Sequence, residues 1–272
     1  MRIDRRAFLY LTASGASVAA FPLWGCNAAG KDPWGLAQRI RHAIIVPAFP
    51  DRDFDIRDYG AVGDGSTDCT GAFRKAVAAC AEADGGRVLV TDGTYRTGPI
   101  HLRSNVNLHV ASGATVSFIP EPRRYLPPVY TRWEGVELRG YSPLIYARHQ
   151  ENIAVTGGGT LDGGADNETW WPWKGMWSRK KWEVDEAITQ KHARAKLFQA
   201  AEDGVQVDER VFAEGFYLRP PFLQPYQCRN VLIEGVTIKD SPFWIIHPVL
   251  CESVTVRGVT ISSHGPNSDG CD

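Results

Sequence analysis

The sequence lacks a charge excess of either sign: 30 Lys and Arg stand against 31 Asp and Glu, a formal net charge of −1. A nucleic-acid binder normally carries a clear basic surplus, so the balance argues against that class. The six cysteines include no C-x-x-C spacing, which removes the usual zinc pattern; no metal and no cofactor are expected. No apolar run is long enough for a comfortable membrane span; the one near the start is short and rich in small residues. What is present is a 272-residue chain, 43% hydrophobic, with 27 Gly and 17 Pro. That suits one large, turn-rich β domain with a substantial core.

Residues 1–26 read as a targeting segment rather than as fold. The core D-R-R-A-F-L, with Arg5 and Arg6 ahead of a modest apolar run, resembles an export signal of the twin-arginine type. L-W-G-C resembles a lipoprotein cleavage box, so Cys26 is a possible lipid anchor; ordinary cleavage, or loss of Cys26 with the signal, is the alternative. The expectation is an exported bacterial protein, whether periplasmic, outer-membrane lipoprotein or secreted. Residues 27–50 read as a lead-in, and 51–272 as the main domain.

Four segments share one design: N-V-N-L-H-V-A-S-G-A-T-V (105–116), N-I-A-V-T-G-G-G-T-L-D-G (152–163), N-V-L-I-E-G-V-T-I-K-D-S (230–241) and S-V-T-V-R-G-V-T-I-S-S (253–263). Each opens on Asn or Ser, alternates β-branched residues, turns at a glycine and alternates again. Alternation is the signature of a strand with one buried face, and glycine permits the corner. The last two copies start 23 residues apart and the first two 47 apart, which reads as two turns. The 78 residues between the copies at 152 and 230 read as more than three coils, broken by an insertion. A repeat in the twenties with no helix between strands predicts an all-β, right-handed parallel β-helix. Coils then stack at about 4.8 Å, and like residues form ladders.

Residues 66–86 predict a helix capping the solenoid, with Asp68 or Thr67 as N-cap and Phe73, Ala76, Val77 and Cys80 on the buried face. Residues 164–218 break the strand pattern and read as a partly helical insertion, with a helix over 185–202. Its W-W-P-W-K-G-M-W-S-R-K-K-W stretch holds five of nine tryptophans. Packing on the solenoid and contact with an acidic sugar polymer are both readings of that stretch. Cys228 and Cys251, 23 apart, should stack on adjacent coils, as two buried thiols or as a disulfide, the thiols being preferred.

The segment F-D-I-R-D-Y-G-A-V-G-D-G-S-T-D-C-T-G-A-F (54–73) resembles the entry segment of pectin-active β-helix proteins, the pectin-lyase-like solenoids. D-S-P-F-W-I-I-H-P-V-L-C (240–251) followed by P-N-S-D-G-C-D (266–272) resembles the polygalacturonases, glycoside hydrolase family 28. The resemblance implies inverting hydrolysis of α-1,4-galacturonosyl linkages in a pectic polysaccharide by a monomer. Such chemistry needs one carboxyl group to protonate the leaving oxygen and one to activate water on the opposite face. By the resemblance, Asp269 helps activate the water, Asp272 ends the N-x-D-G-x-D signature on the substrate-binding side, and Asn267 either shapes the substrate site or forms the turn. The family's Asp-Asp pair, one coil later, maps to nothing within 272 residues, so this chain alone is expected to be inactive or nearly so. The family pattern sets His247 below Asp272 and Trp244 below Asp269. Trp244 then either stacks on a sugar ring or covers the core, and His247 either meets a substrate carboxylate or stacks within the coil. The alternatives are a pectate-lyase-type or rhamnogalacturonan-active enzyme, or a non-catalytic carbohydrate-binding β-helix.

Overall fold

Strands whose alternate residues are apolar can bury one face only if another coil lies over it, and the observed pairing does that. The computed structural model describes residues 32–272, so the export-signal reading of 1–26 and Cys26 lies outside the described residues. The chain divides into two units, Met1–Ala43 and Ile44–Asp272. In the first, Pro33–Ala43 forms a helix, α1, where the sequence suggested only a lead-in. Among the described residues no helix is long and apolar enough to cross a membrane.

The second unit is a right-handed parallel β-helix. One sheet runs in the order Asp53–Asp55, Gly86–Val90, Val106–Val110, Glu151–Thr156, Arg229–Glu234, Glu252–Arg257. A second runs Asp64–Asp68, Gly93–Thr97, Ala114–Phe118, Thr160–Asp162, Thr237–Lys239, Thr260–Ser262. The third, shorter sheet pairs Ile100–His101 with Ile145–Arg148 and that strand with Leu223–Tyr226. Inward residues form ladders: Phe54, Val88, Leu108, Val155, Ile233 and Val256 in the first sheet, and Tyr95, Val116, Leu161, Ile238 and Ile261 in the second. Val88, Leu108 and Ile233 are wholly buried.

The register corrects two spacings. Asn107 pairs directly with Ala154 and Ile153 with Val231, so the 47-residue and 78-residue intervals are each one coil, not two or more than three. Both coils are long because their connections leave the solenoid. The first excursion is an antiparallel hairpin, Val129–Trp133 with Val136–Gly140. The second is the insertion, which holds a ribbon (Met176–Trp177 with Lys180–Lys181) and a helix, α3, over Gln190–Glu202. Val211–Phe212 returns to pair with the hairpin. Glycine is required where coils turn tightly: a Cβ on Gly157 (φ +112°) would lie 2.0 Å from the Val110 carbonyl oxygen.

The cap is the helix α2, Thr70–Glu82, with Phe73, Ala76, Val77 and Cys80 buried as the spacing predicts. Its N-cap position is Cys69, neither Thr67 nor Asp68, although the Asp68 carboxylate accepts from the Thr70 amide at 2.9 Å. Cys228 and Cys251 stack as free thiols, the Cys228 amide donating to the Cys251 sulfur at 3.4 Å.

Candidate active site

The third sheet sets the site. Isolated bridges extend it from Leu223 to Ile246 and from Ile246 to Cys271. The pairing puts His101, Tyr146, Gln224, His247 and Asp272 in one row. It puts Trp244 level with Asp269, the offset of 25 residues that the family resemblance implies. The register is held by backbone bonds from the Ile245 amide to the Asp269 carbonyl (3.3 Å) and from the Asp272 amide to the Ile246 carbonyl (2.9 Å).

Asp269 and Asp272 are exposed at this edge. The Asp272 carboxyl is pushed up to about 6, by partial burial first and then by the neighbouring Asp269 charge. Asp272 therefore holds its proton into mildly acidic conditions. Asn267 adopts a left-handed conformation (φ 58°), which asparagine tolerates better than most residues.

Trp244 is half-buried and stacks on Phe243, with ring centroids 4.9 Å apart and planes 15° from parallel. Phe243 stacks in turn on Trp133 at 5.3 Å. His247 is buried and meets the Trp244 ring edge-on at 4.7 Å. The Gln224 amide NH₂ donates to His247 Nδ1 at 3.0 Å, so a neutral imidazole carries its proton on Nε2. Gln224 is fixed from the other side by Thr131, whose hydroxyl donates to Gln224 Oε1 at 2.6 Å. Burial, assisted by the Arg132 charge, pulls the His247 pKa down to about 4, so the ring is neutral at pH 7.

Sequence reasoning missed the residue that holds these parts together. Arg219 is wholly buried, yet no carboxylate among the described residues pairs with it, nor with Arg132, Arg148 or Lys174. Arg219 Nη1 donates to the carbonyls of Pro242 (2.9 Å) and Pro266 (2.8 Å). Its Nη2 donates to Gln190 Oε1 (3.0 Å) and Asn267 Oδ1 (2.8 Å). The available signal was an arginine set in the apolar, proline-flanked run F-Y-L-R-P-P-F. Lys174 is also part of the site's surroundings: burial, with the Arg219 charge nearby, lowers its pKa.

The tryptophan-rich stretch divides. Trp170 is buried against Tyr125 and Trp173, and Trp171 Nε1 donates to the Ser241 carbonyl at 2.9 Å while its ring fills the space beside Gly265. These rings pack rather than face solvent. The later part opens a cavity of about 460 Å³, lined by Lys174, Met176, Lys181, Trp182, Gln190 and Arg194.

Comparison with known proteins bears out the parallel β-helix fold. Residues 54–117 match the family described as "Rhamnogalacturonase A/epimerase, pectate lyase-like". A hyperthermoactive exopolygalacturonase from Thermotoga maritima is 51% identical, with a TM-score of 0.83, over 88% of this chain and 53% of that protein. A probable polygalacturonase from Vitis vinifera is 26% identical over 78% of this chain and 38% of its own length. The exo-poly-alpha-D-galacturonosidase of Dickeya chrysanthemi is 32% identical over 40% of this chain and 19% of its own length. The chain thus spans about half the length of the Thermotoga protein and less of the other two.

Proposed function

We propose, from the premise that this chain belongs to the polygalacturonase family (glycoside hydrolase family 28), that the protein hydrolyses α-1,4-galacturonosyl linkages in pectic polysaccharide with inversion. The carrying observation is the level placement of Asp269 with Trp244 and Asp272 with His247, beside basic groups that have no carboxylate partner. A uronate polymer supplies the missing negative charge, and a half-buried indole suits a sugar ring. Asp269 acts on the water. An inverting reaction also needs a protonated carboxyl on the opposite face of the sugar.

The reading extends to cleavage from a chain end. The outer face of the third sheet is covered by the hairpin: Tyr146 donates to the Tyr130 carbonyl, Tyr226 to Glu137 and Thr131 to Gln224. A polymer has no open path across those coils, whereas a terminus can reach the edge at 244–272. The related proteins named for exo action support the same mode. The segment D-R-R-A-F-L supports export, and with it access to a polymeric substrate outside the cytoplasm.

The test is the product of polygalacturonate digestion by the native full-length protein. Early release of monomer with new reducing ends and no unsaturation is expected. An unsaturated uronide would replace the reading with elimination, and a ladder of oligomers would replace end attack with internal cleavage. Asp269→Asn should lower kcat by roughly 10³-fold or more with KM little changed, as for loss of a general base.

A further inference from the structure

A buried guanidinium without a counter-ion has a cost that other contacts must offset. Arg219 is 0% exposed, and four of its N–H groups are taken by acceptors from separate parts of the chain. Pro242 belongs to the coil carrying Trp244 and His247. Pro266 and Asn267 belong to the loop carrying Asp269. Gln190 is the first residue of α3 in the insertion and is itself buried. The guanidinium also lies 5.0 Å from the centroid of Phe243, the ring on which Trp244 stacks. Its Nε has no partner, so the retained bonds are those that join the three segments.

We infer that Arg219 is a positioning residue: with Gln190 it clamps the left-handed turn at Asn267 and thereby fixes the carboxylate of Asp269, two residues on. The role rests on the proposed reading of Asp269. Direct contact with substrate is excluded by burial. A plain packing role does not account for the fork geometry: a lysine presents one ammonium and cannot reach four acceptors in two planar pairs. The loop has a further tie, Ser263 Oγ donating to Ser268 Oγ at 3.1 Å, so the turn is held on both sides of Asn267. Through Gln190 the insertion supports the geometry of the acid-bearing loop.

The experiment compares Arg219→Met, Gln190→Met and Asn267→Gly in the native full-length protein; glycine at 267 removes the amide while keeping the left-handed turn accessible. For Arg219→Met, kcat should fall roughly 30-fold or more with KM changed less than about threefold, the pattern of lost transition-state alignment. Gln190→Met removes one arm and should cost roughly three- to tenfold in kcat. The double variant Arg219→Met/Asn267→Gly should be no worse than about threefold below the poorer single variant, because both cut one interaction. A raised KM at unchanged kcat, or fully additive losses, overturns the clamp. Hydrogen exchange gives a readout independent of activity. Amides of 267–270 should exchange about tenfold faster in Gln190→Met, with those of Arg229–Glu234 unchanged. Unchanged exchange at 267–270 overturns the inference even if Arg219→Met does not fold. Absence of galacturonate release by the unaltered protein overturns the functional reading and leaves the clamp to the exchange result.

Discussion

At the scale of single residues, the asparagines that open the coils explain their own recurrence. Asn105, Asn152 and Asn230 all have positive φ (65°, 51° and 58°), and Ser253 continues the series at 56°. Their amides form a ladder: Asn152 Nδ2 donates to Asn105 Oδ1 at 3.1 Å, and Asn230 Nδ2 to Asn152 Oδ1 at 2.6 Å. One residue type thus satisfies both the turn and the stacking bond. The ladder stops at Ser253, leaving Asn230 Oδ1 buried without a partner. Ser253→Asn should supply that donor and raise unfolding stability by ~1 kcal/mol, the usual net value of such a bond. Urea denaturation of the two proteins checks it, and an unchanged midpoint would count against the ladder. This feature was legible in the sequence because it depends on one position repeated per coil. Arg219 was not, because its acceptors lie at 190, 242, 266 and 267 and no local pattern connects them.

At the scale of elements, the capping helix and the repeat strands were legible from periodicity, and the lengths of the coils were not. Periodicity reports which face is buried; it does not report which strand lies above. The hairpin did leave a signal, since an E-G pair separates two alternating runs and both residues take positive φ (Glu134 42°, Gly135 86°), as a tight hairpin turn requires. The cap tests the burial argument. Phe73 is 1% exposed within the core, and Phe73→Ala should cost ~3–4 kcal/mol, read as a lower midpoint in denaturant. The insertion tests the charge argument. Lys174 lines the insertion's cavity without a carboxylate partner, so Lys174→Met should raise KM for polygalacturonate roughly fivefold or more at nearly constant kcat. The effect should shrink with added salt, as attraction between a cation and a polyanion does. An unchanged KM would remove Lys174 from substrate binding.

At the scale of the whole molecule, the stacked ladders couple each coil to its neighbours, so a charge forced into one coil is resisted by the stack. His247 is the buried group on which this bears most directly. It is 6% exposed and neutral at pH 7, its pKa pulled from 6.5 to about 4 by burial and by the Arg132 charge. In the unfolded chain the ordinary value returns, so between those two values the unfolded state binds a proton that the native state refuses. Its contribution to stability is therefore fully present above about pH 6.5 and is lost as pH falls towards about 4. A shift of this size corresponds to roughly 3 kcal/mol, the most that this one group can contribute. Asp272 has the opposite sign: its carboxyl, raised to about 6, favours the native state at low pH and loses that contribution as pH rises. The two titrations overlap, so a single pH profile does not separate them, whereas a difference between variants does. Urea denaturation at pH 7.5, 5.5 and 4.5 should show His247→Gln losing less stability on acidification than the unaltered protein, because glutamine has no proton to take up. Asp272→Asn should instead steepen the acid loss. Parallel profiles for the unaltered protein and His247→Gln would mean that the imidazole titrates near its ordinary value and is open to water, contrary to its place between Gln224 and Trp244.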